Sequence, residues 1–327
     1  MRLFGDPGVS RGRASTTLQA GTEAYVPRLT RGFSLVVAIL VMASTALACA
    51  PAAARSTPGA PPAGGGERPA TLRVGLIPNQ APDRVKAQYE PFREYLAKTL
   101  GQPVDTFVAT DYAGVVEAMA SDKLDVAYFG GLTYAQAELR ADVAPIVTEI
   151  DRETNTSKYF SAIIVRADSP YQKIDDLKGK TFAFGDVSST SGSLYPRFML
   201  DRAGFTDFGN PQLFVYTGGH DATLAAVVNG SVQGGGIEKR IMERAFDAGT
   251  YTRDQIRIIQ QNEVQGYPWV ARKKLDPALL DRITDAFLKL DDPEVLRLMR
   301  AVRYTKVTAS DYDEVRREAD RLGLRKA

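Results

Sequence analysis

From Thr71 onward, short apolar runs with strand character alternate with longer amphipathic stretches, and this rhythm restricts the fold of the 327-residue chain more than any other feature. Residues 72–77 read as a strand and 84–100 as an amphipathic helix stopped by Gly101. Residues 104–109 are the next strand, 112–120 the next helix, and 124–129 a third strand closed by Gly130 and Gly131, before a helical stretch over 133–140. The pattern resumes with strands over 159–166 and 180–184, a helix over 195–203, a strand over 213–216, helices over 221–229 and 238–248, and a strand over 255–260. Two C-terminal helices, 277–289 and 312–322, flank a shorter one near 293–301. Strands joined by crossover helices give an α/β fold. Roughly 257 residues are more than one compact core usually holds, so two lobes are expected.

In such sheets ligands bind beyond the carboxyl ends of strands, and with two lobes the natural site is the cleft between them. The candidate loops are 78–83, 110–112, 128–133, 186–191 and 217–221. Residues 186–192 read Asp-Val-Ser-Ser-Thr-Ser-Gly, after the apolar run 181–184 and before a helix start. The first N–H groups of a helix have no intrahelical partner and carry the positive end of its dipole, so amides plus hydroxyls can hold an oxyanion without Lys or Arg. The same residues also suit a plain helix cap at Ser188 or Ser189.

The first 48 residues have the form of a secretion signal. Arg28 and Arg31 precede an apolar run over 33–47, too short for a membrane span, which ends in Ala46-Leu47-Ala48-Cys49. Cys49 is the only cysteine; its placement suggests lipoprotein processing, with ordinary cleavage after Ala48 as the alternative. The stretch before Arg28 is longer than a signal needs, consistent with an over-long start. Residues 49–70 form the anchor cysteine and a linker of Pro, Gly and Ala, read as a disordered tether spanning about 25 Å on average. Either route exports the chain, and one cysteine excludes an internal disulfide. Of 41 basic and 39 acidic residues, five and two fall in the first 48, leaving 36 against 37. A near-neutral exported protein implies neither nucleic acid nor an anionic membrane surface as partner.

His220 is the only histidine, so a multi-histidine metal site is excluded and a catalytic triad could run only through it. It follows Gly218-Gly219 before a helix start, where a donor can face an anion, although a packing role is equally open. There is no H-E-x-x-H, G-x-S-x-G or Walker loop, and Gly234-Gly235-Gly236 lacks dinucleotide spacing; it reads as a close backbone approach. No enzyme, cofactor or metal is indicated.

An ordered set of stretches carries a resemblance: Thr110-Asp-Tyr-Ala-Gly-Val115, Leu124-Asp-Val-Ala-Tyr-Phe-Gly-Gly-Leu-Thr133, Asp176-Leu-Lys-Gly-Lys-Thr-Phe-Ala-Phe-Gly-Asp186, Ser189-Thr-Ser-Gly192 and Gly219-His-Asp-Ala222. Over residues 71–327 the chain resembles the phosphate/phosphite/phosphonate substrate-binding proteins of ABC transporters. The resemblance implies a two-lobed periplasmic-binding-protein fold of type II, its lobes joined by two crossover segments. Lobe one would be residues 71–165 plus 266–327, and lobe two 166–265. It implies that Ser189, Thr190 and Ser191 wrap the anion, that Tyr112 reaches it from the opposite lobe, and that His220 donates to it. A second family tyrosine falls on Phe129, which has no hydroxyl; Tyr128 beside it points to the other face of a continuing strand. Where relatives that take aminoalkylphosphonates carry a carboxylate in a Gly-Asp-Pro turn, this chain has Gly266-Tyr267-Pro268. The other carboxylate position falls on Arg240; Glu238 nearby is more simply a helix-start acid favoured by the dipole. Asp111 and Asp186 either accept from a protonated ligand oxygen, orient the hydroxyls or, more simply, cap helices, and Tyr267 and Trp269 form either a wall of the cleft or hinge packing.

The expected ligand is therefore an amine-free phosphorus oxyanion (phosphite, phosphate or a small alkylphosphonate), since an unpaired buried ammonium would cost several kcal/mol. The expected partners are a membrane permease and its ATPase, with the chain a monomer anchored outside the membrane through Cys49 or free in the periplasm. A sulfonate or pyrimidine ligand, or a sensor role with a signalling partner, are the alternatives.

Overall fold

The computed structural model describes residues 66–326, so the leader, Cys49 and most of the linker lie outside the described residues. Two mixed sheets organise the chain. The first is seeded by three parallel strands, β1 (Leu72–Leu76), β2 (Val104–Val108) and β3 (Val126–Tyr128), connected by helices α1 (Pro82–Leu100) and α2 (Tyr112–Ala120). Helix α1 turns Val85, Tyr89, Phe92, Leu96 and Leu100 inward and ends at Gly101, whose φ of 64° needs no Cβ. After α3 (Gly131–Ala137), strand β4 (Val143–Asp151) joins the same sheet, as do two late strands, β10 (Trp269–Arg272) and β11 (Ala301–Lys306), giving the order β11-β4-β10-β3-β1-β2. Trp269 is fully buried at its centre, with ring centroids 4.8 Å from Phe287, 5.0 Å from Tyr128 and 5.2 Å from Phe92.

The second sheet has the order β7-β6-β8-β5-β9, from β5 (Lys158–Arg166), β6 (Phe182–Phe184), β7 (Phe214–Tyr216), β8 (Gly234–Glu238) and β9 (Ile256–Gln265). Its faces are covered by α4 (Tyr195–Arg202) on one side and by α5 (His220–Val228) and α6 (Lys239–Asp247) on the other. Alternation along β5 shows why both faces are dry: Ile163 and Val165 enter one core, Ala162 and Ile164 the other. Helices α7 (Pro277–Leu288), α8 (Pro293–Leu298) and α9 (Asp313–Arg321) return to the first lobe.

Four expectations change. The glycine triplet does admit close neighbours, but as strand β8: a Cβ on Gly236 would lie 2.4 Å from Pro196 Cγ, and one on Gly235 2.7 Å from Thr223 Cγ2. Strands β4, β10 and β11 were not expected, and the helix near 293–301 stops at Leu298 so that Ala301 can begin β11. Residues 158–165 belong to the second lobe, because β5 pairs with β9 along its whole length, from Lys158 opposite Gln265 to Arg166 opposite Ile256. The outward crossing is thus the turn 152–157, and the return is Gly266-Tyr267-Pro268. Finally, the linker is held before Thr71: Glu67 N–H donates to Lys274 O (2.9 Å), Glu67 O accepts from Asp276 N–H (3.0 Å), and Arg68 pairs with Asp276 (2.8 Å).

The crossings touch where Gly266 N–H donates to Ser157 O at 2.7 Å, and a Cβ on Gly266 would sit 2.6 Å from Thr148 Oγ1. Thr148 Oγ1 donates to Tyr267 O (2.8 Å) and Tyr312 Oη to Gly266 O (3.0 Å), so the return segment is fixed by hydroxyls of the first lobe.

Candidate functional site

The loop after β6 is shaped by its own side chains. Asp186 Oδ1 accepts from Ser188 N–H (2.7 Å), and Ser189 Oγ accepts from Gly192 N–H (3.0 Å), which caps the π-helical turn Thr190–Leu194. The capping reading of Ser189 is therefore correct, and because the oxygen acts there as acceptor its O–H is still available to donate. Such wide turns concentrate at functional sites, and here the turn leaves the first amides of the helix unused by the helix itself. Gly192 is required, since a Cβ there would lie 2.8 Å from His220 Cε1 and 3.0 Å from Ser189 Oγ.

The first lobe meets this loop through helix starts. Leu132 N–H donates to Thr190 Oγ1 (2.9 Å), Thr133 Oγ1 to Ser188 O (3.0 Å), and Tyr112 N–H approaches Asp186 Oδ2 (3.4 Å). Asp111 caps α2 by accepting from Gly114 N–H at 2.7 Å. On the far side, His220 N–H donates to Asn79 O (3.0 Å) and Ala81 N–H to Asp221 Oδ2 (3.0 Å).

Within this seam three buried polar atoms have no hydrogen-bond partner: Tyr112 Oη from the first lobe, and Tyr159 Oη and Ser191 Oγ from the second. The Tyr112 hydroxyl lies beside Ser189 and the Tyr159 hydroxyl beside Ser191, each outside hydrogen-bond geometry. Buried polar groups are nearly always satisfied, so several orphans at one place mark a site for something else. Burial pushes both phenols up, so they remain protonated donors. His220 adds a fourth. Its Nδ1 accepts from Glu238 N–H (3.1 Å), which places the ring proton on Nε2, 3.5 Å from Ser189 Oγ. Burial pulls its pKa down to about 4, so near pH 7 it is a neutral donor.

Behind these donors lies a self-contained charge network. Glu238 Oε1 accepts from Arg240 Nε (2.7 Å) and Oε2 from Tyr267 Oη (2.5 Å). Arg240 also pairs with Glu149 (2.7 Å) and stacks its guanidinium on Tyr159 (4.4 Å) and Tyr267 (5.3 Å). Burial raises the Glu238 carboxyl, but the guanidiniums of Arg240 and Arg244 outweigh it and hold it ionised. Glu238 is thus no dipole acid: it makes no cap bond and both its oxygens are engaged.

Of the residues singled out from sequence, the fold brings Tyr112, Ser189, Ser191 and His220 together, with Tyr267 one layer behind through Glu238. Thr190 faces the seam, but its oxygen is taken by Leu132 N–H. Tyr128 stacks on Tyr267 (5.0 Å, 13°) with its hydroxyl toward Tyr89, and Phe129 and Trp269 are fully buried in the same aromatic core. Tyr159 was missed. Its signal is the pattern Tyr159-x-Ser161 on one face of an otherwise apolar strand; Ser161 Oγ donates to Ser191 O (2.9 Å) and steadies the loop.

Two lobes, two crossings and a cluster of neutral donors between them define a periplasmic binding protein of type II. Residues 74–314 match the family described as the periplasmic substrate-binding protein of ABC phosphonate transporters. The phosphate-import protein PhnD of Mycolicibacterium smegmatis is 30% identical over 281 residues, covering 79% of this chain and 88% of that protein. The phosphonates-binding periplasmic protein of Escherichia coli is 29% identical over 235 residues, covering 69% and 68% respectively. The structure of PhnD1 from Prochlorococcus marinus in complex with methylphosphonate matches with a TM-score of 0.70 at 25% identity, covering 79% of this chain and all of that one. The chain belongs to this family of periplasmic substrate-binding proteins. Its relatives are binding proteins rather than enzymes.

Proposed function

We propose that this chain captures an amine-free phosphorus oxyanion (phosphite, phosphate or a small alkylphosphonate) in the cleft and delivers it to an ABC permease for import. The observation that carries the reading is the set of unpartnered buried hydroxyls, Tyr112 from one lobe and Tyr159 and Ser191 from the other, beside the neutral His220 Nε2–H. Charge-assisted hydrogen bonds from neutral donors are strong when water is excluded, so the site needs no Lys or Arg in contact with the anion. Ser189 and Thr190 complete the hydroxyl run. Closure brings Tyr112 onto an anion first held by the second lobe, and the permease's ATPase drives release. The phosphate, phosphonate and methylphosphonate named for the relatives support this ligand class.

The preference for an amine-free ligand rests on Glu238, whose oxygens are already bonded to Arg240 and Tyr267 and which offers no free carboxylate to an ammonium. In the cell the protein acts as a monomer outside the membrane, held there through a lipid on Cys49. Calorimetric titration of the full chain with phosphite, phosphate, methylphosphonate and 2-aminoethylphosphonate tests the ligand class. One amine-free anion should bind far more tightly than the aminoalkyl ligand; the reverse order would show that Glu238 exchanges Tyr267 for an ammonium. No heat with any of the four would move the ligand to an organic sulfonate or a pyrimidine.

A further inference from the structure

A cavity of about 990 Å³ opens on the far side of the seam, next to the Ala81–Asp221 contact. It is bounded by the start of α1, the end of α8, the start of α5 and the body of α6, so both lobes form its walls. Five arginines line it, Arg84, Arg152, Arg244, Arg297 and Arg300, against two carboxylates. The carboxylates are occupied: Asp247 pairs with Arg300 (2.6 Å), and Asp221 accepts from the backbone N–H groups of Ala81 and Ala222 (3.0 Å each). Arg297 pairs with Glu294 (2.6 Å). Arg84, Arg152 and Arg244 have no carboxylate within 4.0 Å among the described residues.

Arg244 differs from an ordinary solvated arginine. Its Nε is buried and has no hydrogen-bond partner, whereas Arg240 one helical turn earlier is fully engaged by Glu238 and Glu149. Burial, with Arg240 and Arg300 nearby, holds the Arg244 guanidinium below its usual range, so an added anion would relieve an electrostatic cost already present. Between the cations the wall is apolar, with Leu224, Ile241, Leu298 and the Tyr251 ring. The volume falls within the range of small-molecule sites.

We infer that this groove is a second ligand site, taking a small, multiply charged organic phosphate whose phosphoryl groups face Arg244, Arg84 and Arg152 and whose body lies on the apolar wall. Pyrophosphate is the probe for charge alone and a nucleoside diphosphate the probe for charge with an aromatic body. Titrated into the full chain, the diphosphate should bind at one site, more tightly than pyrophosphate. Arg244→Gln should weaken it about tenfold or more, the loss expected for a hydrogen bond to a charged group. The double variant Arg84→Gln/Arg152→Gln, at exposed positions that leave the fold untouched, should weaken it comparably, and a thermal melt of each variant separates lost binding from lost folding. Tyr159→Phe, which alters the cleft, should leave diphosphate binding intact. Loss of binding in Tyr159→Phe would place the diphosphate in the cleft and overturn the inference. Absence of saturable binding, indifference to the arginine variants, or preferential capture of an acidic peptide would overturn it as well.

Discussion

The cleft and the groove show two ways of meeting an anion. In the cleft every donor at the seam is neutral, and Arg240 behind them is spent on Glu238 and Glu149. In the groove Arg84, Arg152 and Arg244 lack carboxylate partners; Arg84 and Arg152 are exposed, and Arg244 is only partly so, with a buried Nε. Burial explains the difference. An unpaired charge sealed between lobes would cost several kcal/mol whenever the ligand left, whereas an orphan hydroxyl costs about 1–3 kcal/mol. A partly open wall can carry bare charge because water attends it.

The largest expected effect breaks the cleft's buried network. Arg240→Leu leaves Glu238 and Glu149 buried without their cation, and should destabilise the protein by about 3–5 kcal/mol, read as a large fall in thermal midpoint. A midpoint within a few degrees of the parent would mean that the network is not what neutralises the site. Next, Tyr159→Phe should cost the cleft anion about tenfold or more in affinity while leaving the thermal midpoint unchanged or slightly raised, because it removes an orphan hydroxyl. Tyr128→Phe should leave affinity unchanged; equal losses in the two variants would erase the distinction between donor and packing tyrosines.

The pH dependence sharpens the comparison further. His220 has a pKa of about 4 in the fold and an ordinary value of 6.5 when unfolded, so between these values the unfolded chain binds the extra proton. Stability is therefore full above about pH 6.5 and falls by roughly 3 kcal/mol as pH drops through the window to 4. The difference in denaturation midpoint between the parent and His220→Gln should shrink over that window. A pH-independent difference would show that the ring is not buried neutral. The smallest effect is that of salt: raising ionic strength should weaken the groove ligand clearly and the cleft ligand little, because screening acts mainly on exposed charge.

Sequence legibility followed the same division between local and long-range causes. The β1–β3 unit and its helices were readable because each carries its own period and stop, such as Gly101 after α1. β4 was not: it contains Pro145, tolerated because it sits at the bulge where Trp269 and Val270 shift register and beyond the end of β11. β10 has only four residues, and β8 opens on three glycines whose strand state is set by Pro196 and Thr223 packing on either face. In the site, the hydroxyl loop announced itself through its own residues. Tyr159 did not, because its value depends on β5 lying in the second lobe, which only its pairing with β9 decides. Glu238 was misread for a similar reason: a helix start explained it locally, while Arg240 and Tyr267 claim it in space.

The central claim is that a tetrahedral oxyanion is held by neutral donors from both lobes. A crystal structure of the protein with methylphosphonate tests it most directly. The account predicts the phosphonyl oxygens within hydrogen-bond distance of Tyr112 Oη, Tyr159 Oη, Ser191 Oγ and His220 Nε2, with Arg240 still on Glu238. A cleft anion held by the Arg240 guanidinium, or one leaving Tyr159 Oη unpaired, would contradict it.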